Sequence, residues 1–275
     1  MHDFARRDFL KAGVAGSAGL MLGSKARADD ASPYGPFKMG VQSYSLRSTK
    51  DLSAMLAKVK ELGLKYIEFY PNHAPITTDA KKIAEIKEKC AEVGVTPMAY
   101  GVSGFGEDAN TNRKTFEFAK MLGLYTITSS FDKKGSLSLD KLCDEFPDIH
   151  VGIHNHGPAD RYKVPEDVLE CIKDRHKNIG ATADLGHYIR SGQDPLECIE
   201  KLKDRLFGIH FKDFAKSGKE VIVGDAQLKV KECLALLKKL NFQGCISLEY
   251  ELDGPKLMDD LKEALKRVQS AVKEI

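Results

Sequence analysis

The feature that most constrains this chain is a rhythm: eight short apolar or β-branched runs, each followed by an amphipathic, Lys/Glu-rich stretch. Runs of that composition read as buried strands, and the stretches between them carry the helical period. The spacing predicts strands over Lys38–Tyr44, Lys65–Tyr70, Val95–Gly101, Leu124–Ser129, Ile149–His154, Ile179–Asp184, Leu206–Phe211 and Gly244–Glu249. Helices are predicted near 51–63, 78–92, 110–122, 138–146, 165–175, 194–203, 229–240 and 256–273. Gly63, Gly94 and Gly123 stand where three of those helices close, and Pro165 and Pro195 where two others open. Eight strand–helix units in about 240 residues describe an α/β domain, a single closed (β/α)8 TIM barrel. An open, doubly wound sheet is the competing fold, because strand order is not written in a sequence. The Gly-rich segment Gly101–Gly106 lacks GxGxxG spacing and reads as a loop.

Ahead of the first strand the chain changes character. Arg6-Arg7 lead into Phe9-Leu10-Lys11, a weakly apolar run follows to Gly23, and Ala26-Arg27-Ala28 offers a small-x-small cleavage site. That order describes a secretory signal, and the paired arginines resemble the twin-arginine type read by the machinery that exports folded proteins. The apolar run is too short to span a bilayer. The expected organisation is a signal peptide over 1–28, a lead-in over 29–37 and the catalytic barrel over 38–275, with the mature protein periplasmic or otherwise exported and without a stable membrane anchor. A basic amphipathic helix belonging to the fold is the alternative for the first segment. Cleavage after Ala28 removes five basic and two acidic side chains from 42 Lys+Arg and 40 Asp+Glu, so the mature chain turns slightly acidic. That balance lacks the basic stripe nucleic acid requires. The six cysteines include no CxxC pair and read as mostly free thiols, since a chain of this length buries a core without staples.

In a barrel of this kind the chemistry sits at the C-terminal strand ends and in the loops after them. The fifth strand ends Ile153-His154-Asn155-His156, the sixth Ala183-Asp184-Leu185-Gly186-His187, the seventh Ile209-His210-Phe211-Lys212-Asp213, and the eighth Leu248-Glu249-Tyr250-Glu251. Four consecutive strands therefore bring His154, Asp184, His210 and Glu249 to equivalent heights. Singly, each has a bland reading: a satisfied polar histidine, or a helix N-cap for Asp184. Together they would be four polar groups crowding a partly buried mouth, which is unfavourable without a shared partner. Mixed imidazole and carboxylate donors suit a divalent ion such as Mn²⁺, Co²⁺, Fe²⁺, Mg²⁺ or Zn²⁺, with positions left open for substrate oxygens. Glu68 ends the second strand and His73 follows it; both are candidates to line the mouth and bind substrate, with an inward ion pair as the alternative for Glu68.

Through Asp184-Leu-Gly-His187, His210-Phe-Lys212-Asp213 and Ser247-Leu-Glu249-Tyr-Glu251, the chain from 38 to 273 resembles the xylose isomerase-like superfamily. Within it, the resemblance is to the sugar phosphate isomerase/epimerase group that includes tagatose epimerase and is related to endonuclease IV. The resemblance implies a metal-dependent isomerase or epimerase acting on a small keto-sugar or polyol through a metal-stabilised enediolate. It makes Asp184, His210 and Glu249 ligands, gives Glu249 the proton to move, and puts His187 in the pocket, with Lys212 or His187 anchoring substrate oxygens. The family's usual fourth ligand is a Glu at the end of the fifth strand, where this chain has His154. That departs from the epimerases' two-glutamate scheme, in which a proton leaves one face of the substrate and returns on the other. His154 or His156 would then be the second acid/base, work that imidazole does near neutral pH. A lyase or dehydratase on keto-sugars or 3-keto-glycosides tolerates the same change and is the alternative. An endonuclease IV-like nuclease needs a third-strand His and a late Asp-x-His pair, but that strand ends Ala99-Tyr100-Gly101 and no His follows His210. A non-catalytic sugar-binding protein is the remaining class, and a metal cluster at strand ends argues against it. No Arg cluster or phosphate-binding glycine loop follows the seventh strand, which favours a non-phosphorylated carbohydrate; the oligomeric state stays open.

Overall fold

The computed structural model describes residues 32–131 and 137–275, and the expected signal segment lies outside them. The first half runs β1 (Lys38–Gln42), α1 (Leu52–Glu61), β2 (Tyr66–Phe69), α2 (Ala80–Val93), β3 (Thr96–Gly104), α3 (Ala109–Leu122), β4 (Thr126–Ser130) and α4 (Leu139–Glu145). The second runs β5 (His150–His154), α5 (Pro165–Ile172), β6 (Ile179–Asp184), α6 (Leu185–Arg190), α7 (Pro195–Leu202), β7 (Leu206–Phe211), the short β8 (Asp213–Phe214) and β9 (Glu220–Val221), α8 (Val230–Lys239), β10 (Cys245–Leu248) and α9 (Leu257–Lys273).

Eight of the strands pair in the ring order β1–β10–β7–β6–β5–β4–β3–β2, all parallel, and β1 closes the ring by pairing with both β10 and β2. Closure satisfies the backbone groups that an open sheet would leave at two edges. The open-sheet alternative is thereby displaced. Strands β6 and β7 are buried along their whole length, as the continuous apolar runs require. Helix starts follow local chemistry: the carboxylates of Asp51, Asp79, Asp108 and Asp194 accept backbone N–H groups in the first turns of α1, α2, α3 and α7. Gly94 and Gly123 close α2 and α3 in the left-handed conformation. All six cysteines are free thiols. No helix among the described residues is long and apolar enough to cross a membrane.

Three features depart from the sequence reading, and each has a physical reason. Strand β3 runs on to Gly104, through the segment expected to be a loop, with Ser103 and Gly104 paired to Ser129 and Ser130 after a register shift. Gly101 allows this, because a Cβ there would lie 2.3 Å from the carbonyl oxygen of Thr128. Helix α6 is only six residues long, too short for its period to stand out. The β8–β9 hairpin has two-residue strands, and the loop that follows it is gathered by one carboxylate: Asp213 accepts from the backbone N–H groups of Gly224, Ala226, Gln227 and Leu228.

Candidate metal centre

The tips of β5, β6, β7 and β10 are successive round the ring. Asp184 pairs with His210 in register, and the Glu249 N–H donates to the Phe211 carbonyl, which carries the β10 pairing one residue past the strand. This register brings His154, Asp184, His210 and Glu249 together, each offering a donor atom within 4.8 Å of the others, and all four side chains are buried. His154 Nε2 lies 3.0 Å from His210 Nδ1, and His210 Nδ1 lies 3.0 Å from Glu249 Oε2. Asp184 serves two purposes. Its Oδ1 accepts from the His187 N–H and so starts α6, while its Oδ2 faces the cluster at 3.6 Å from His154 and 3.8 Å from His210. The helix-cap reading of this residue is met by Oδ1, which leaves Oδ2 turned toward the cluster, where an ion could meet it.

The donor set fits a divalent cation. Asp184 Oδ2 is buried without a hydrogen-bond partner, as is His154 Nδ1. A buried carboxylate oxygen left in that state is unfavourable unless something positive meets it. Burial raises the Glu249 carboxyl, but Lys212 and His210 outweigh it and hold the group at about 2. Asp184 likewise stays well below the usual carboxylate range, because His187, His154 and Lys212 outweigh the effect of burial. Neighbouring positive charge thus holds both carboxyls toward the ionised form, a charge that a bound cation would supply in its place.

Beneath the cluster lies a support that the strand-end reading placed elsewhere. Glu68, expected at the mouth, is 1% exposed, and its Oε2 meets His210 Nε2 at 2.9 Å while accepting from Ser247 Oγ at 2.6 Å. A carboxylate behind a histidine fixes which ring nitrogen faces forward and raises its basicity. His73 is also away from the pocket, with Nδ1 on Ser43 Oγ and Nε2 on the Thr49 carbonyl, so it ties down the segment between β1 and α1. Lys212 is fully buried with Nζ 2.5 Å from Glu251 Oε1 and 3.6 Å from Glu249 Oε2. It stands behind the carboxylates and is not among the residues lining the cavity.

Above the cluster opens a cavity of about 250 Å³, lined by His154, His156, His187 and Glu249 together with Gln42, Tyr44, Tyr70 and Glu251. No lysine or arginine lines it among the described residues. His156 sits 4.6 Å from the His154 ring, centroid to centroid, and its own ring is half-buried. Burial lowers its basicity, with the neighbouring His154 adding to the effect. Burial pushes His187 further down, to about 4. Tyr44 and Tyr70 stack edge to face at 4.9 Å and form an aromatic wall. Sequence reasoning missed that wall, although both tyrosines lie just past the ends of β1 and β2, where the strand-end rule applies.

Fold and site together define a (β/α)8 barrel with a buried His₂/Asp/Glu cluster at its catalytic face. Residues 56–271 match the xylose isomerase-like TIM barrel family, and the chain belongs to that family. Among curated proteins, an inosose dehydratase from Clostridium botulinum (strain Eklund 17B / Type B) is 23% identical over 159 residues. The match covers 51% of this chain and 51% of that protein, so the chain spans about half the length of the relative it matches. Among solved structures, an uncharacterised protein from Parabacteroides distasonis ATCC 8503 superposes with a TM-score of 0.66 at 28% identity, over 86% of this chain and 99% of its own. D-psicose 3-epimerase from Clostridium cellulolyticum H10 superposes with a TM-score of 0.69 at 14% identity, over 86% and 99%, which shows a shared fold.

Proposed function

We propose that this protein is a divalent-metal-dependent enzyme that removes the proton beside the carbonyl of an uncharged keto-sugar or keto-polyol and then expels water. The observation that carries this reading is the asymmetry of the pocket. Among the described residues two carboxylates line the cavity: Glu251 is engaged by Lys212, whereas Glu249 faces imidazoles at His154, His156 and His187, and the tip of β5 carries a histidine in place of a carboxylate. An elimination needs one base and one acid of different character, whereas a symmetric pair serves inversion better. His154, Asp184, His210 and Glu249 are the residues that would hold the ion, which when bound supplies Lewis acidity toward a carbonyl oxygen. Glu249 accepts the α-proton, His156 delivers a proton to the departing hydroxyl, and His187 binds a substrate oxygen. Among the described residues no lysine or arginine lines the cavity, which favours an uncharged substrate, and the Tyr44–Tyr70 wall offers a face for the C–H side of a sugar ring. The name of the Clostridium botulinum relative also points to dehydration.

The isomerase or epimerase expected from the sequence shares the first step. It is favoured by one feature: Glu249 and His156 come from β10 and β5, which are separated by β7 and β6 round the ring. That separation suits a pair that takes a proton on one side and returns it on another. Incubating the metal-loaded protein in deuterated water with ketoses, keto-cyclitols and 3-keto-glycosides distinguishes the two. Loss of water or an aglycone establishes a lyase, deuterium uptake without loss establishes an isomerase or epimerase, and inertness toward the whole panel sinks the proposal. Residues 1–28 are further proposed as an export signal. Protein recovered from outside the cytoplasm of its own cell should begin near Asp29, and an intact N-terminus there refutes it.

A further inference from the structure

Arg190 ends α6, exposed at the rim, and its Nη1 lies 3.2 Å from Nδ1 of His187. A guanidinium can only donate, so in this contact Nδ1 of His187 must accept. A neutral imidazole that accepts at Nδ1 carries its proton on Nε2. That nitrogen points toward the cluster, 3.9 Å from Asp184 Oδ2, which is beyond hydrogen-bonding distance. The surroundings are shaped to hold the arrangement. The guanidinium stacks over Phe214 at 5.1 Å, and the same Phe214 ring lies nearly parallel to His187, at 27° and 6.0 Å. On the other side Gly157 makes room, since a Cβ there would come within 3.0 Å of Arg190 Cζ. The His187 backbone is itself tied to Asp184 Oδ1.

We infer that Arg190 is a positioning residue that commits His187 to the neutral tautomer protonated at Nε2. His187 is thereby a hydrogen-bond donor to a substrate oxygen and is unavailable as the general base. What the donor acts on rests on the sugar-enzyme reading; the tautomer does not. A donor of this kind, aimed where negative charge develops on a carbonyl oxygen, assists the reaction without moving a proton itself. Proton removal then belongs to Glu249.

The test is a long-range ¹H–¹⁵N correlation spectrum of the whole protein labelled at histidine, recorded with diamagnetic Mg²⁺ or Zn²⁺ and without substrate. The His187 signals are assigned by their loss in His187→Gln. Wild type should show an unprotonated Nδ1 and a protonated Nε2. Arg190→Leu should populate the other tautomer and lower kcat/KM about tenfold, the worth of one well-placed hydrogen bond, and Arg190→Lys should recover most of both. A wild-type proton on Nδ1, a doubly protonated ring, or a tautomer unchanged in Arg190→Leu overturns the inference. If the tautomer behaves as expected while no keto-sugar is turned over, the positioning role stands and the substrate reading falls.

Discussion

In the proposed reaction Glu249 is the residue on which the chemistry turns, because it is the carboxylate of the cluster that also lines the cavity. Glu249→Gln keeps the shape and one coordinating oxygen but cannot take a proton. Turnover should fall by about 10²–10⁴-fold with bound metal retained, as metal analysis beside steady-state rates will show. A near-normal rate would move the base to the fifth strand. Glu68 makes a different kind of prediction, because it touches His210 from below and does not line the cavity. Glu68→Gln weakens the hold on His210 Nε2 and should reduce metal affinity by roughly 10–100-fold, read by competition against a chelator. KM at saturating metal should not change. A raised KM with unaltered metal affinity would restore Glu68 to the mouth, where its strand-end position had suggested it belongs.

At the scale of elements, the β8–β9 hairpin braces the rim. Glu220 on β9 is 8% exposed, and its Oε1 accepts from the Glu251 N–H, next to the Lys212–Glu251 ion pair. Burial pushes the Glu220 carboxyl up to about 7, with Lys212 opposing it. A folded-state value above the unfolded one means the native protein holds this proton more tightly. The associated stability is complete below the unfolded value and is lost as pH rises through about 7. Glu220→Gln cannot ionise, so its stability relative to wild type should rise by on the order of 1–3 kcal/mol between pH 5 and pH 8, measured by denaturant unfolding. A difference that stays flat across that range would show that the carboxyl titrates normally. Neither hairpin strand had a local signal, since two residues carry no period, and the carboxylate that organises the loop, Asp213, acts across more than ten residues.

For the whole molecule, an ion held by the cluster would couple metal binding to folding. An ion that meets Asp184 Oδ2 and its three neighbours binds only when four strand tips are in register, so it binds the folded barrel and not the unfolded chain. At a thousandfold excess over Kd this linkage is worth about 4 kcal/mol, which for a domain of this size raises Tm by roughly 8–16 °C. Added Mn²⁺, Co²⁺ or Zn²⁺ should produce such a rise in a thermal melt, and a chelator should reverse it. Asp184→Ala should melt cooperatively yet show no metal-induced shift; an undiminished shift would mean the ion sits elsewhere.

By itself the sequence determined the alternation of eight strands and their helices, the glycines that close three of those helices and the prolines that open two, and the four strand-tip residues that share a height. Such information is local: burial imposes a period on neighbouring residues, and a strand end is marked by the polar residue that follows an apolar run. The tertiary structure alone decided that β1 meets β10, that Glu68 lies below His210, that Lys212 is spent on Glu251 and Glu249, and that Arg190 reaches His187 close past Gly157. These depend on how far the strands tilt and stagger as the ring closes. That quantity is shared by all eight strands, so no single stretch of chain records whether a given side chain rises into the mouth or sinks beneath it.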